Sequence, residues 1–246
     1  MQHFVNKVLM CFMLLNLATT GFADSKIQNF GTKTLLEKAR TSVVFDGVTV
    51  NYGAGAQALS YSNCYSSICY DVFGGLGYHP QYTVSYLNSD FTGPIFASAF
   101  GADVSTELFK RKNSSYGLFV GLVETKFWSD ELTGSVRGTQ TTTNSEGGMS
   151  SLKIGIILKN QLNKNSSFDI NVGMNSWNLN AKGVTFIDNI KATKKAQGSN
   201  NDPYGYFSYN SKLFELDTSI TYGISKLSAD NTVFVDHIIL SLQKRF

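Results

Sequence analysis

Beyond its first two dozen positions the chain has no apolar run near 18 residues, and it holds only three prolines, three cysteines and three histidines. Each scarcity excludes something. Without a long apolar run there is no transmembrane helix to place. His79 and His237 are the only histidines outside the N-terminal stretch, which leaves little for a metal cluster or a His-based catalytic constellation. There is no Gly-x-Ser-x-Gly elbow, no Cys/His metal spacing and no Gly-rich phosphate loop ahead of a helix. His237 and Ser241 share one strand face but stand about 13 Å apart, beyond the reach of a nucleophile and its base. His79, beside Pro80, marks a turn. A formal net charge of +3 describes no polyanion-binding surface, so nucleic acid is not an expected partner. No enzyme activity, cofactor or metal is expected.

What is present begins with an address. Lys7 precedes the apolar stretch Val8–Ala18, and Gly21 and Ala23 stand where a signal peptidase reads small residues. Residues 1–23 are read as a secretory signal, cleaved before Asp24. Cys11 lies inside the apolar stretch, not at its end, so it is an ordinary signal residue and not a lipidation site. The remaining pair, Cys64 and Cys69, in NCYSSICY, is read as a disulfide closing a tight extracellular loop of an exported chain.

The rest is rich in Gly, Tyr, Phe, Ser, Asn and Thr, a strand-and-turn composition. Eight segments alternate apolar and polar with period two. They are Val43–Tyr52, Ile95–Phe109, Tyr116–Trp128, Ser151–Leu162, Phe168–Asn178, Tyr204–Leu216, Thr218–Leu227 and Thr232–Phe246. The third is apolar on both faces, and a bulge near Val123 is one way to switch them. Connections near Lys110–Ser115, Asn163–Ser167, Asp217 and Ser228–Asn231 are short. Gly53–Pro94, Ser129–Met149 and Ala181–Pro203 are long and polar. Apart from the last hairpin, short and long alternate, as in an outer-membrane barrel with tight periplasmic turns and long outer loops. A ten-strand alternative adds Tyr70–Leu76 and Tyr82–Asn88 around a turn at Gly77–Gln81.

The polar faces are small and mixed, as a barrel lumen requires. They carry Asp103, Glu107, Lys153, Lys159, Asp169, Lys212, His237 and Arg245, read as an internal ladder of ion pairs and hydrogen bonds. The chain stops at Phe246, with Leu242, Leu240 and Ile238 stepping back along the same face. This resembles the C-terminal assembly signal of bacterial outer-membrane proteins, although Lys244 stands where an aromatic is common. By pattern, residues 43–246 resemble small barrels of the OmpA/OmpX/Opa type. The resemblance implies an all-β, antiparallel up-and-down transmembrane barrel of eight strands, or ten, assembled by the barrel-assembly machinery. Residues 24–42, with a short helical patch at Thr34–Arg40, form a periplasmic lead-in. The expected role is structural or adhesive, with outer-membrane lipid and lipopolysaccharide around the barrel, loops offered to a host surface ligand and both termini periplasmic. A lipid- or peptide-directed enzyme is the runner-up, and a narrow channel the third reading.

Overall fold

The computed structural model describes residues 30–39, 43–45, 48–50, 53–86, 89–187, 190–214, 216–228 and 232–245. The signal segment, residues 1–23, and Phe246 lie outside them. The described chain is all strand: β1 Phe30–Ala39, β2 Val43–Phe45, β3 Val48–Val50, β4 Gly53–Tyr65, β5 Ile68–Tyr86, β6 Ser89–Arg111, β7 Ser114–Val136, β8 Thr139–Asn163, β9 Ser166–Ile187, β10 Ile190–Leu213, β11 Leu216–Ser228 and β12 Thr232–Arg245.

The nine strands β4 to β12 form one antiparallel meander, each bonded to the next. β1 lies between its two edges, pairing with β4 on one side and β12 on the other. Each of these strands thus has a bonded neighbour on both sides, the arrangement that removes sheet edges. The expected count of eight is not met. β1 falls in the segment read as a lead-in with a helical patch, and β4 in a segment read as loop. Nor are the added strands those of the ten-strand alternative: β5 runs unbroken from Ile68 to Tyr86, with only a register shift between His79 and Tyr82. His79 therefore marks a strand irregularity and not a turn. The expected first strand, 43–52, is a small hairpin, β2–β3, whose β3 pairs with the upper end of β5 and whose β2 touches β10.

The other seven expected strands lie within β6 to β12, and their faces hold. Ile154, Ile156, Val172, Met174, Phe207 and Ile220 all point outward, Ile156 with 57% of its surface exposed. On β7, Leu118, Val120 and Leu122 point out while Gly117 and Gly121 are buried. The face does not switch at Val123; the register shift lies further on, between Ser129 and Leu132. So wide an apolar girdle has no stable place in water, whereas a membrane barrel carries one about 25 Å tall.

The strands are longer than this girdle demands. β6 to β10 run 22 to 25 residues, where crossing a bilayer takes about 9–11. The excess lies at one end. At the other end the turns at Ser66, Lys112 and Phe214 place a non-glycine residue at positive φ, as two-residue hairpins require. The start of β1 and the end of β12 lie there too, Gly31 opposite Arg245. At the extended end, the described residues of the expected long loops 129–149 and 181–203 are instead strand, apart from one tight turn. The turn between β7 and β8 is only Arg137 and Gly138, at φ of 52° and 83°. The inside of this extension is packed: Phe91, Leu132, Val136, Trp177, Leu179 and Ala196 form one buried cluster.

Candidate functional site

Two regions carry polar chemistry: the lumen and an outward groove beside the extension. The lumen follows from alternation, since every residue flanked by outward apolar neighbours points in. Lys153 on β8 donates to the Tyr206 hydroxyl at 2.8 Å, and its ammonium stands 4.6 Å from that ring's centroid. Asp103 lies on the same cross-strand row, separated from Lys153 by Gly121. A Cβ on Gly121 would stand 2.5 Å from the Asp103 carboxylate; this lumen has no room there. Further along β8 towards the short-turn end, Lys159 faces Asp169 directly, and Asp169 also accepts from Asn210 at 2.9 Å.

The remaining expected lumen charges are placed less deeply. Glu107 sits by the short-turn end, 4.0 Å from the exposed Lys110. Lys212 is exposed at the same end, opposite Asp217. The side chains of His237 and Arg245 lie outside the described residues. The bulk of the polar packing comes from residues the charge pattern did not single out. Asp202, 2% exposed, accepts from the Trp177 indole and from the Ser228 backbone N–H, both at 2.8 Å. Ser151 donates to Asn175 at 2.6 Å, and Tyr204 to Asn171 at 3.0 Å. Thr143 and Thr185 share a hydrogen bond of 2.8 Å beside the apolar cluster. Two signals for this set stood in the sequence: the alternation Trp177, Leu179, Ala181 and the threonines of 139–143.

Cys64 and Cys69 form the expected disulfide, their Cα atoms 4.0 Å apart. The bridge lies across a two-residue hairpin turn and not in a long loop. The bridge closes the hairpin of β4 and β5 around Ser66, at the short-turn end, next to a cavity of about 170 Å³ lined by Ser105, Glu107 and Lys159. Ile238 and Leu242 of the assembly-signal pattern are exposed on the outward face, and Leu240 is half-buried there. At the extended end, His79 accepts the Gln81 backbone N–H at 3.3 Å, and burial holds its imidazole below the usual pKa.

The groove lies on the outside of β7–β10, beyond the girdle, with a volume of about 810 Å³. Its outward residues fall in rows. Trp128, Glu146, Lys182 and Lys195 are mutual cross-strand neighbours, and so are Lys126, Gly148, Asn180 and Gln197. Lys182 pairs with Glu146 at 3.3 Å.

A meander girdled by apolar side chains, filled with polar and aromatic packing, defines a membrane barrel. Known structures place it more closely. OmpT, an outer-membrane protease from Escherichia coli, matches with a TM-score of 0.57 over 92% of this chain and all of its own, at 9% identity. The NalP autotransporter translocator domain of Neisseria meningitidis has a TM-score of 0.45, also at 9% identity, over 100% of this chain and 98% of its own. The fold is that of a bacterial outer-membrane β-barrel. No family model matches, and no curated protein does either. The OmpA/OmpX/Opa type is not singled out by these likenesses.

Proposed function

We propose that the chain is a non-enzymatic barrel of the bacterial outer membrane that holds a strand-built projection outside the cell for contact with a host surface ligand. In this reading the short turns, the disulfide and both termini are periplasmic, and the barrel-assembly machinery inserts the chain. Outer-membrane lipid and lipopolysaccharide surround the girdle. The observation that carries it is the excess length of β6 to β10, packed around the Phe91–Leu132–Trp177 cluster. A transmembrane anchor alone has no use for that length, and loops on a rigid scaffold commonly carry function. The side-chain packing across the lumen, Lys153 on Tyr206 and Ser151 on Asn175, supports a non-conducting barrel. OmpT's name describes a protease; at 9% identity that activity stays with OmpT.

The test is to replace residues 132–143 with a two-residue turn and compare host-cell binding by bacteria carrying either form. Binding that falls to background with the shortened hairpin, at equal barrel levels, is the expected result. Hydrolysis of a peptide library by the purified full chain, or steady ion conductance in planar bilayers, would replace this reading.

A further inference from the structure

We propose that the outward groove of β7–β10 binds the phosphorylated sugars of the outer-leaflet glycolipid; this rests on the reading of the chain as an outer-membrane barrel with its extension outside. Four observations converge.

Height is the first. On β7 the girdle ends at Leu122, and Glu124, Lys126 and Trp128 follow on the same face. At about 3.3 Å per residue and a tilt near 40°, Lys126 stands roughly 10 Å beyond Leu122. That is the layer of phosphates and sugars, above acyl chains and below the tip.

Charge is the second. Lys195 lies directly opposite Lys182 on the outward face, and like charges so placed repel. Glu146 offsets Lys182 alone. Among the described residues, neither Lys126 nor Lys195 has an ion pair or hydrogen-bond partner. Three lysines against Glu124 and Glu146 leave the groove positive by one, with two ammonium groups available to an anion.

Shape is the third. Gly148 stands between Lys126 and Asn180 in one row, so no side chain fills the floor there. A Cβ at Gly148 would approach the Thr125 carbonyl oxygen to 3.1 Å.

The lining is the fourth. Trp128 is 39% exposed and stacks on Phe96, 6.1 Å between centroids, at the rim. Asn178 and Asn180 supply amide donors and acceptors from the facing wall. An aromatic ring, amides and ammonium groups together are the chemistry that recognises a phosphorylated sugar. Lipid-facing strands without such a groove would meet only acyl chains.

The test uses the full chain folded in phospholipid vesicles, titrated with purified rough-type lipopolysaccharide. Protease protection in vesicles lacking glycolipid reads insertion separately, so failure of the barrel reading is seen there first. Wild-type protein is expected to bind, and Lys126→Gln with Lys195→Gln to weaken binding about tenfold or more, two charge-assisted contacts being lost. Lys112→Gln with Lys164→Gln, at the short-turn end, should leave it unchanged. Trp128→Ala gives a second, charge-neutral reading and should also weaken binding. No binding by inserted wild type, or equal binding by the groove double variant, overturns the proposal. Glucosamine phosphate binding as tightly as the glycolipid would overturn the membrane source.

Discussion

Trp177 and Asp202 meet diagonally across the β9–β10 pairing, the indole N–H donating to a carboxylate that is 2% exposed. The Ser228 backbone N–H donates to the same oxygen, tying the end of β11 to the pair. Phe in place of Trp177 keeps the ring's packing and removes one of these two donors. Leaving a buried acceptor short of a partner costs about 1–3 kcal/mol. Urea unfolding of Trp177→Phe in lipid vesicles should show a loss of that size. Asp202→Ala should lose at least as much, and the double variant less than the sum, since both act on one contact. Additive losses would mean the bond contributes nothing.

Ile156 and Gly155 are neighbours on β8 and point to opposite sides. Arg at Ile156 meets lipid and should cost about 2–4 kcal/mol near the membrane middle. Arg at Gly155 meets the Val172 carbonyl oxygen and the Tyr204 hydroxyl, the latter 2.7 Å from a Cβ, so folding itself should fail. A neutral Ile156→Arg in the same folding assay would reverse the face assignment for β8.

The disulfide tests orientation. With Cys64 and Cys69 at the short-turn end, a membrane-impermeant thiol reagent applied to intact cells after mild reduction should leave both unlabelled. Permeabilising the outer membrane should expose them. Because the bridge spans one hairpin whose strands also pair along Gly55–Tyr65 and Ile68–Tyr78, reduction should leave the barrel resistant to detergent unfolding. Labelling on intact cells would place the short turns outside.

Removal of Phe246 should lower surface levels in cells while leaving slow folding into detergent intact, because Thr232–Arg245 already pairs with β11 and β1. Surface labelling of the tip turn, Arg137 and Gly138, reads the level. Asp236 pairs with Ile224 in this register, at the opposite end of β12 from the terminus.

The strands that alternate cleanly were legible because lipid on one side and a packed lumen on the other impose period two. Ile154, Ile156 and Val172 against Gly155 and Gly173 show it plainly. β4, GAGAQALSYSNCY, has small residues on both faces and no such period. β1 carries Leu35 beside Leu36 and reads locally as helix until β4 and β12 pair with it, so tertiary pairing overrides local preference. The extension was mistaken for loops because its outer face is wet: Thr139–Asn144 and Lys194–Asn201 are polar on the outside, and the apolar half of the alternation is sparse. Lys153 and Asp169 find partners in Tyr206 and Asn210, which were not foreseen, since cross-strand register decides them.

From Ser114 to Asn163 only Arg137 and Gly138 lie outside strands. A protease needs an extended segment that can leave its neighbours, and exposed loop tips are where nicking concentrates. Here such a segment would first have to be peeled from two ladders. On the proposed reading, with the extension outside the cell, such a projection survives in a protease-rich setting that would shave a loop-bearing barrel, and antibodies against it must recognise folded surface instead of linear sequence.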